Sequence, residues 1–209
     1  MSEFVERRRG RPAVSSAQAI EDHAMRLFLE KGFDETSMTE VAAACGVGRA
    51  TLFRYFPSKA DIVWRGFDLH LRRLAVVLTA QPAGLPIATA VHAAAVQAFA
   101  EAVDDEQLWR RRFAVQQQTD ALRPGLAAHW LEWAQIVAAF VAERTGAGAD
   151  GVIPAAVGGA VQAAFAATLR TWLHTEDYGG DVIQRMGDAL QPVCEGLSHL
   201  LESQEHELT

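Results

Sequence analysis

Residues 37–59 read Ser-Met-Thr-Glu-Val-Ala-Ala-Ala-Cys-Gly-Val-Gly-Arg-Ala-Thr-Leu-Phe-Arg-Tyr-Phe-Pro-Ser-Lys, and this stretch constrains the fold more than any other. Ser37 and Glu40 have the spacing of a capping box, in which hydroxyl and carboxylate each satisfy a backbone N–H that the first helical turn leaves unpaired. A short helix therefore starts near Met38. Met38, Val41, Ala42 and Cys45 recur at three- and four-residue steps as one buried face, and Gly46 supplies the left-handed conformation that ends the helix. Val47 plugs the corner. A second helix begins at Arg49, with Leu52, Phe53 and Phe56 expected inside and Arg49, Ala50, Thr51, Arg54 and Tyr55 outside. Pro57 stops it, and Ser58 caps a further helix that opens with Lys59.

Two helices joined by so tight a corner suit the major groove of DNA: the second is narrow enough to enter it while the first crosses the backbone. Arg49 sits where a guanidinium reaches guanine O6 and N7. Thr51 is placed for a thymine methyl or a phosphate, and Tyr55 and Lys59 for phosphates. Ser37 and Thr39 on the first helix, with Ala50 and Arg54 on the second, complete the candidate DNA-contacting set. Upstream, Arg7-Arg8-Arg9-Gly10-Arg11-Pro12 is a basic arm kept extended by Gly and Pro. Arg9 and Arg11 suit a narrow A·T minor groove, as in an AT-hook; equally, such a run serves as a solvated tail that raises non-specific affinity.

Leu27-Phe28 with Gly32-Phe33, then Thr36-Ser37, then Gly46-Val47-x-x-x-Thr51-Leu52-Phe53-x-Tyr55-Phe56-x-Ser58-Lys59 resembles the TetR family of bacterial repressors. The resemblance covers roughly residues 16–62. It implies an all-α homodimer with an N-terminal three-helix helix–turn–helix head and a larger C-terminal helical body for ligand binding and dimerisation. The divisions expected are an arm over 1–14, a head over 15–60 and a body over 61–209. Two positions depart from the family's commonest pattern: Gly48 stands where a hydroxyl N-cap is usual, and Phe53 where tyrosine is usual. Neither can make a hydroxyl–phosphate contact.

Beyond Lys59 the pattern is helical throughout. Val63, Phe67, Leu71, Leu74 and Leu78 define a long helix over about 58–80, and further helices are expected over 86–103, 105–119, 124–145, 153–175 and 181–203. Pro192 should kink or split the last of them. Val157, Gly158, Val161, Ala164, Phe165 and Leu169, then Val182, Met186, Leu190, Val193, Leu197, Leu200 and Leu201, give the final two helices broad apolar faces; they either complete the body core or, as the family resemblance implies, form a dimer interface over about 153–203. All five tryptophans, Trp64, Trp109, Trp130, Trp133 and Trp172, lie in the body, and rings that combine apolar area with a polar N–H suit a pocket for a sizeable apolar ligand. Trp64, Phe67, Leu71, Trp109, Phe113, Gln117, Trp130, Trp133 and Phe165 form the candidate ligand-binding set, with plain core packing as the alternative for any one of them. Phe53 to Trp64, followed by Phe67-Asp68 and His70-Leu71, also resembles actinobacterial regulators of the mycofactocin-system type. That resemblance implies a long-chain acyl-CoA effector, with one or two of Arg110, Arg111 and Arg112 meeting its phosphates or else pairing with acidic groups of the body.

The net charge of −7 looks wrong for a DNA binder until it is divided: residues 1–60 hold nine Lys/Arg against eight Asp/Glu, and residues 61–209 ten against eighteen. Local clustering, not net charge, governs DNA binding. Cys45 and Cys194 lie in separate helical patterns, so buried thiols are expected rather than a disulfide or metal motif. No HExxH or G-x-S-x-G occurs, and Gly46-Val47-Gly48 lacks the strand and third glycine of a dinucleotide site, so neither catalysis nor a cofactor is expected. No run of eighteen apolar residues and no apolar segment after the arm suggests a membrane or export signal; a cytoplasmic protein is expected. The function expected is release of a palindromic operator on binding an apolar effector. The rival is an architectural DNA-binding protein that uses arm and helix–turn–helix without any effector.

Overall fold

The computed structural model describes residues 16–103, 106–148, 151–174 and 181–207. Among them all the regular structure is helical, as the sequence pattern predicts. Helix α1 (Ala17–Lys31) starts where the Ser16 hydroxyl accepts from the Ala19 N–H at 3.1 Å. Helix α2 (Met38–Cys45) opens on the complete capping box: Glu40 N–H donates to Ser37 Oγ at 3.2 Å and Ser37 N–H to Glu40 Oε2 at 2.9 Å. The Ser37 N–H, together with the Lys31 ammonium at 3.0 Å and the Ser37 hydroxyl, draws the Glu40 carboxyl down to about 2. Gly46 then ends α2 at φ 67°, and Gly48 opens α3 (Arg49–Tyr55).

Ile20, Ala24, Met25 and Phe28 of α1, Val41, Ala42 and Cys45 of α2, Leu52 of α3 and Phe56 just beyond it are all buried. Phe53 is not. Successive helical residues turn by about 100°, so Leu52 and Phe56 share the inner line and Phe53 falls on the flank beside Arg49, one turn back. It is 37% exposed, which corrects its assignment to the inner face.

The chain divides into two compact units: residues 1–65 with 111–120, and residues 66–110 with 121–209. The first unit therefore extends past the division at residue 60 and takes in the second half of α6 (Glu106–Gln118). Ion pairs help hold this stretch there. Glu21 of α1, 0% exposed, pairs with Arg112 of α6 and, at 3.0 Å, with Arg65 of α4 (Lys59–Thr79), while Asp22 pairs with Arg111.

In the second unit α5 (Ile87–Ala102), α7 (Arg123–Thr145), α8 (Val152–His174) and α9 (Val182–Glu207) build the core. A short 3₁₀ turn, Asp120–Leu122, precedes α7. Helices α7 and α8 approach closely at Gly158, where a Cβ would lie 2.2 Å from the Ala134 carbonyl oxygen. His92 of α5 bonds the Gly187 carbonyl of α9 at 2.9 Å, and the Arg144 guanidinium gathers the carbonyls of Pro82, Ala83 and Leu85. Pro192 does not split α9. Pro192 and Asp188 are both exposed, so the carbonyl deprived of its i+4 donor faces water. By length and composition Asp120–Thr145 and Val152–His174 could each cross a membrane; here Trp133, Val137 and Phe140 of the first and Val161, Phe165, Leu169 and Trp172 of the second are buried in the core.

Candidate DNA-reading face and aromatic core

Helix α3 turns Leu52 inward and leaves Arg49, Ala50, Phe53, Arg54 and Tyr55 exposed, with Thr51 half-buried. Two cations stand over neighbouring rings: the Arg49 guanidinium lies 5.4 Å from the Phe53 centroid and that of Arg54 5.6 Å from Tyr55. Ser37 and Thr39, at the start of α2, are exposed as well. Lys59 is differently engaged. Its ammonium donates to the carbonyls of Phe33 and Asp34 at 2.6 and 3.3 Å and sits 4.5 Å from the Phe33 ring centroid, closing the loop after α1. Arg9 and Arg11 lie outside the described residues.

The candidate ligand set is not brought together as one group. Trp64, Phe113 and Gln117 belong to the first unit, the other six to the second. Gln117 is exposed, because Phe113 and Gln116 occupy the inner side of α6. In the second unit Leu71 is buried, and Phe67, Trp109, Trp130, Trp133 and Phe165 pack on one another and on two residues the sequence reading did not include, His70 and Phe99. Phe165 is the hub. Its ring centroid lies 5.1 Å from Trp133, 5.4 Å from Phe99, 5.5 Å from His70 and 6.2 Å from Trp130; Phe67 meets Trp130 edge-on at 4.8 Å. Trp130 is only half-buried, and it forms the rim of the cluster. An alternation of rings and alanines signals burial but not which rings share a centre, so Phe99, on the alanine-rich α5, carries no signal beyond its helical register.

Two histidines give this core opposite electrostatics. His70 is 2% exposed, and its Nε2 accepts the Trp133 indole N–H at 3.1 Å, which places the proton on Nδ1. Burial brings its pKa down to about 4, with a small opposing push from the Ala98 carbonyl, so the ring is neutral at pH 7. His129 packs on Phe67 at 5.2 Å between two acceptors, the Gly125 carbonyl at 2.7 Å and Asp68 Oδ1 at 3.0 Å. Burial works against its charge, but the Asp68 and Gly125 hydrogen bonds and the nearby carboxylates of Asp68 and Glu132 outweigh it and raise its pKa. With acceptors on both sides, the imidazolium satisfies both bonds.

The triple arginine has intramolecular partners throughout. Arg110 pairs with Glu106, donates to the Trp172 carbonyl and stands 4.4 Å over the Trp172 ring; Arg111 and Arg112 hold Asp22 and Glu21. These are acidic groups of α1 and α6, so the arginines are committed to ion pairs rather than presented to a phosphate. Cavities among the described residues of the second unit are lined by other residues: one of about 490 Å³ beside Trp172, Val182 and Arg185, one of about 270 Å³ beside His92 and Cys194, and one of about 250 Å³ beside Pro86 and Arg144. Burial pushes the Cys194 thiol up to about 11 and raises that of Cys45, so neither is a nucleophile near neutrality.

A capped helix–turn–helix with a cationic, aromatic outer face, joined to a helical body, defines a DNA-binding regulator. Residues 20–64 match the model of the bacterial regulatory proteins of the tetR family, and residues 85–198 match that of the MftR C-terminal domain. A protein of Mycobacterium tuberculosis named as a mycofactocin biosynthesis transcriptional regulator, MftR, is 31% identical over 93% of this chain and 98% of its own. Among solved structures, SmeT, the repressor of a Stenotrophomonas maltophilia multidrug efflux pump, shares the fold with a TM-score of 0.62 at 20% identity, over 87% of this chain and 90% of its own. Thermus thermophilus FadR, a repressor solved with lauroyl-CoA, does so with a TM-score of 0.54 at 24% identity, over 87% and 94%. The chain belongs to the TetR family of transcriptional regulators, in the group whose C-terminal domain is of the MftR type.

Proposed function

We propose that the protein is a repressor that binds a palindromic operator as a homodimer and releases it on binding an apolar effector of the acyl-CoA class. The outer face of α3 carries this reading. Arg49, Ala50, Thr51, Arg54 and Tyr55 face the bases and flanking phosphates, Ser37 and Thr39 meet the backbone, and Arg9 and Arg11 of the arm add minor-groove contacts. Lys59 stands beside them as a tie within the head whose charge also favours phosphate. Dimerisation uses α8 and α9 within about 153–203. Exposed Ala155, Ala156, Ala163 and Ala167 on α8 support this, since small residues let a second helix approach closely.

The effector site is the aromatic core of the second unit, entered past Trp130, with Phe67, Leu71, Trp109, Trp133 and Phe165 as its lining. The acyl-CoA class is supported by the MftR-type C-terminal domain and by the lauroyl-CoA that FadR holds. Because the rings are in mutual contact, an acyl chain enters only as they part. A ligand releases DNA only by binding the DNA-incompetent state more tightly than the competent one, and a tenfold loss of operator affinity needs about 1.4 kcal/mol of such preference. Such a regulator works beside the DNA, in the cytoplasm. The test is titration of lauroyl-CoA into the operator-bound protein, following fluorescence anisotropy of the DNA and tryptophan emission together. Release with a tryptophan change supports the reading; DNA that stays bound at saturating lauroyl-CoA, with unchanged emission, removes the acyl-CoA class.

A further inference from the structure

Phe53 is the residue that neither the sequence reading nor the core accounts for. The inner side of α3 is already filled by Leu52 and Phe56, both buried, yet Phe53 holds a ring in solvent, 37% exposed, on a helix of seven residues. It has no polar atom, so it cannot bond a phosphate. Two interactions remain open to it on this face. One is made already: the Arg49 guanidinium stands 5.4 Å from its centroid, a cation–π contact. The other is apolar contact with the C5 methyl that thymine presents in the major groove, for which a phenyl ring is one of the suitable side chains.

We propose that Arg49 and Phe53 act as one composite reader, in which the Phe53 ring packs on the 5-methyl group of a thymine and holds the Arg49 guanidinium over a guanine within a step or two of it. The proposal rests on α3 being the recognition helix. Four residues of helix rise by about 6 Å, and bases along a strand are spaced about 3.4 Å apart, so the two side chains reach neighbouring steps. Stacking also restricts the guanidinium before DNA arrives, leaving it less rotamer freedom to lose on forming the bidentate pair. The site's chemistry is thus a guanine flanked by a 5-methylpyrimidine, and specificity at the methyl depends on the ring and not on a hydroxyl.

The experiment uses the full-length dimer and the operator recovered from the native genome by wild-type protein. Each thymine is replaced singly by deoxyuridine, which removes the methyl and nothing else, and affinity is read by anisotropy. Wild type should lose about fourfold at one thymine per half-site, the factor that one buried methyl represents. Phe53→Tyr should keep that sensitivity, whereas Phe53→Ala should lose it and also become less sensitive to 7-deazaguanine at the neighbouring guanine. An operator with no uracil-sensitive thymine overturns the proposal alone, as does a Phe53→Ala protein whose sensitivity equals wild type. Because the uracil series is read on wild-type protein, the result stands even if a variant folds poorly. Failure to recover any specific site overturns the recognition-helix reading and the proposal with it.

Discussion

Replacing Arg112 by methionine isolates the buried ion pair between α1 and the second half of α6, within the first unit. Glu21 is 0% exposed and the Arg112 side chain 5%, so removing the guanidinium strands a carboxylate away from water. Breaking a buried pair by removing one partner costs roughly 3–5 kcal/mol. Arg65 remains 3.0 Å from the other carboxylate oxygen and is 29% exposed, which keeps some compensation and some solvent access. The expected loss is therefore near the lower bound, about 3 kcal/mol. In a chain of this size that lowers the thermal midpoint by roughly 6–12 °C. The double variant Glu21→Met, Arg112→Met removes both charges while keeping apolar volume, and it should recover most of the loss. Circular dichroism melts of the wild type, the two single variants and the double variant complete the cycle. A single variant within 1 kcal/mol of wild type, or a double variant that is worse than the sum of the singles, refutes the reasoning.

Four further outcomes follow from other contacts in the structure. His70, folded near 4 against about 6.5 unfolded, is neutral when folded while the unfolded chain takes up a proton, so stability should fall as pH drops through that window by an amount on the order of 3 kcal/mol, and His70→Phe should flatten the curve. His129 has the opposite sign: its contribution is present at low pH and lost as pH rises through its raised pKa, and imidazole NMR titrations should show the two rings on opposite sides of the ordinary value. Gly158→Ala sets a methyl 2.2 Å from the Ala134 carbonyl, so α7 and α8 must separate; a loss of about 1–3 kcal/mol in urea melts is expected. Lys59→Ala removes charged hydrogen bonds to two loop carbonyls and should destabilise the protein by about 1–2 kcal/mol besides weakening DNA binding, whereas a pure phosphate contact would leave stability untouched.

Local chemistry was the legible part. The capping box at Ser37, the glycine corner and the proline breaks act within a few residues of themselves, and the helices begin and end within a few residues of where those signals place them. Tertiary placement was less so. Phe53 looks like core by composition, and only the turn of a short helix puts it outside. The pairing of Glu21-Asp22 with Arg111-Arg112 spans ninety residues with no periodicity to announce it, so the arginines read as candidates for a ligand. His70 was visible only as one residue of a motif; its central place depends on rings from α4, α5, α6 and α8 meeting around it. Pro192 carries a strong local signal that the exposed side of a long helix absorbs.

Selection of native genomic fragments by the full-length protein, with footprinting of those retained, tests most directly whether α3 reads a defined sequence. The expected result is a pseudo-palindrome whose half-sites lie one helical turn apart, roughly 34–36 Å, protected by wild type and no longer enriched by Arg49→Ala. Equal retention of specific and random fragments by the wild-type protein would contradict it.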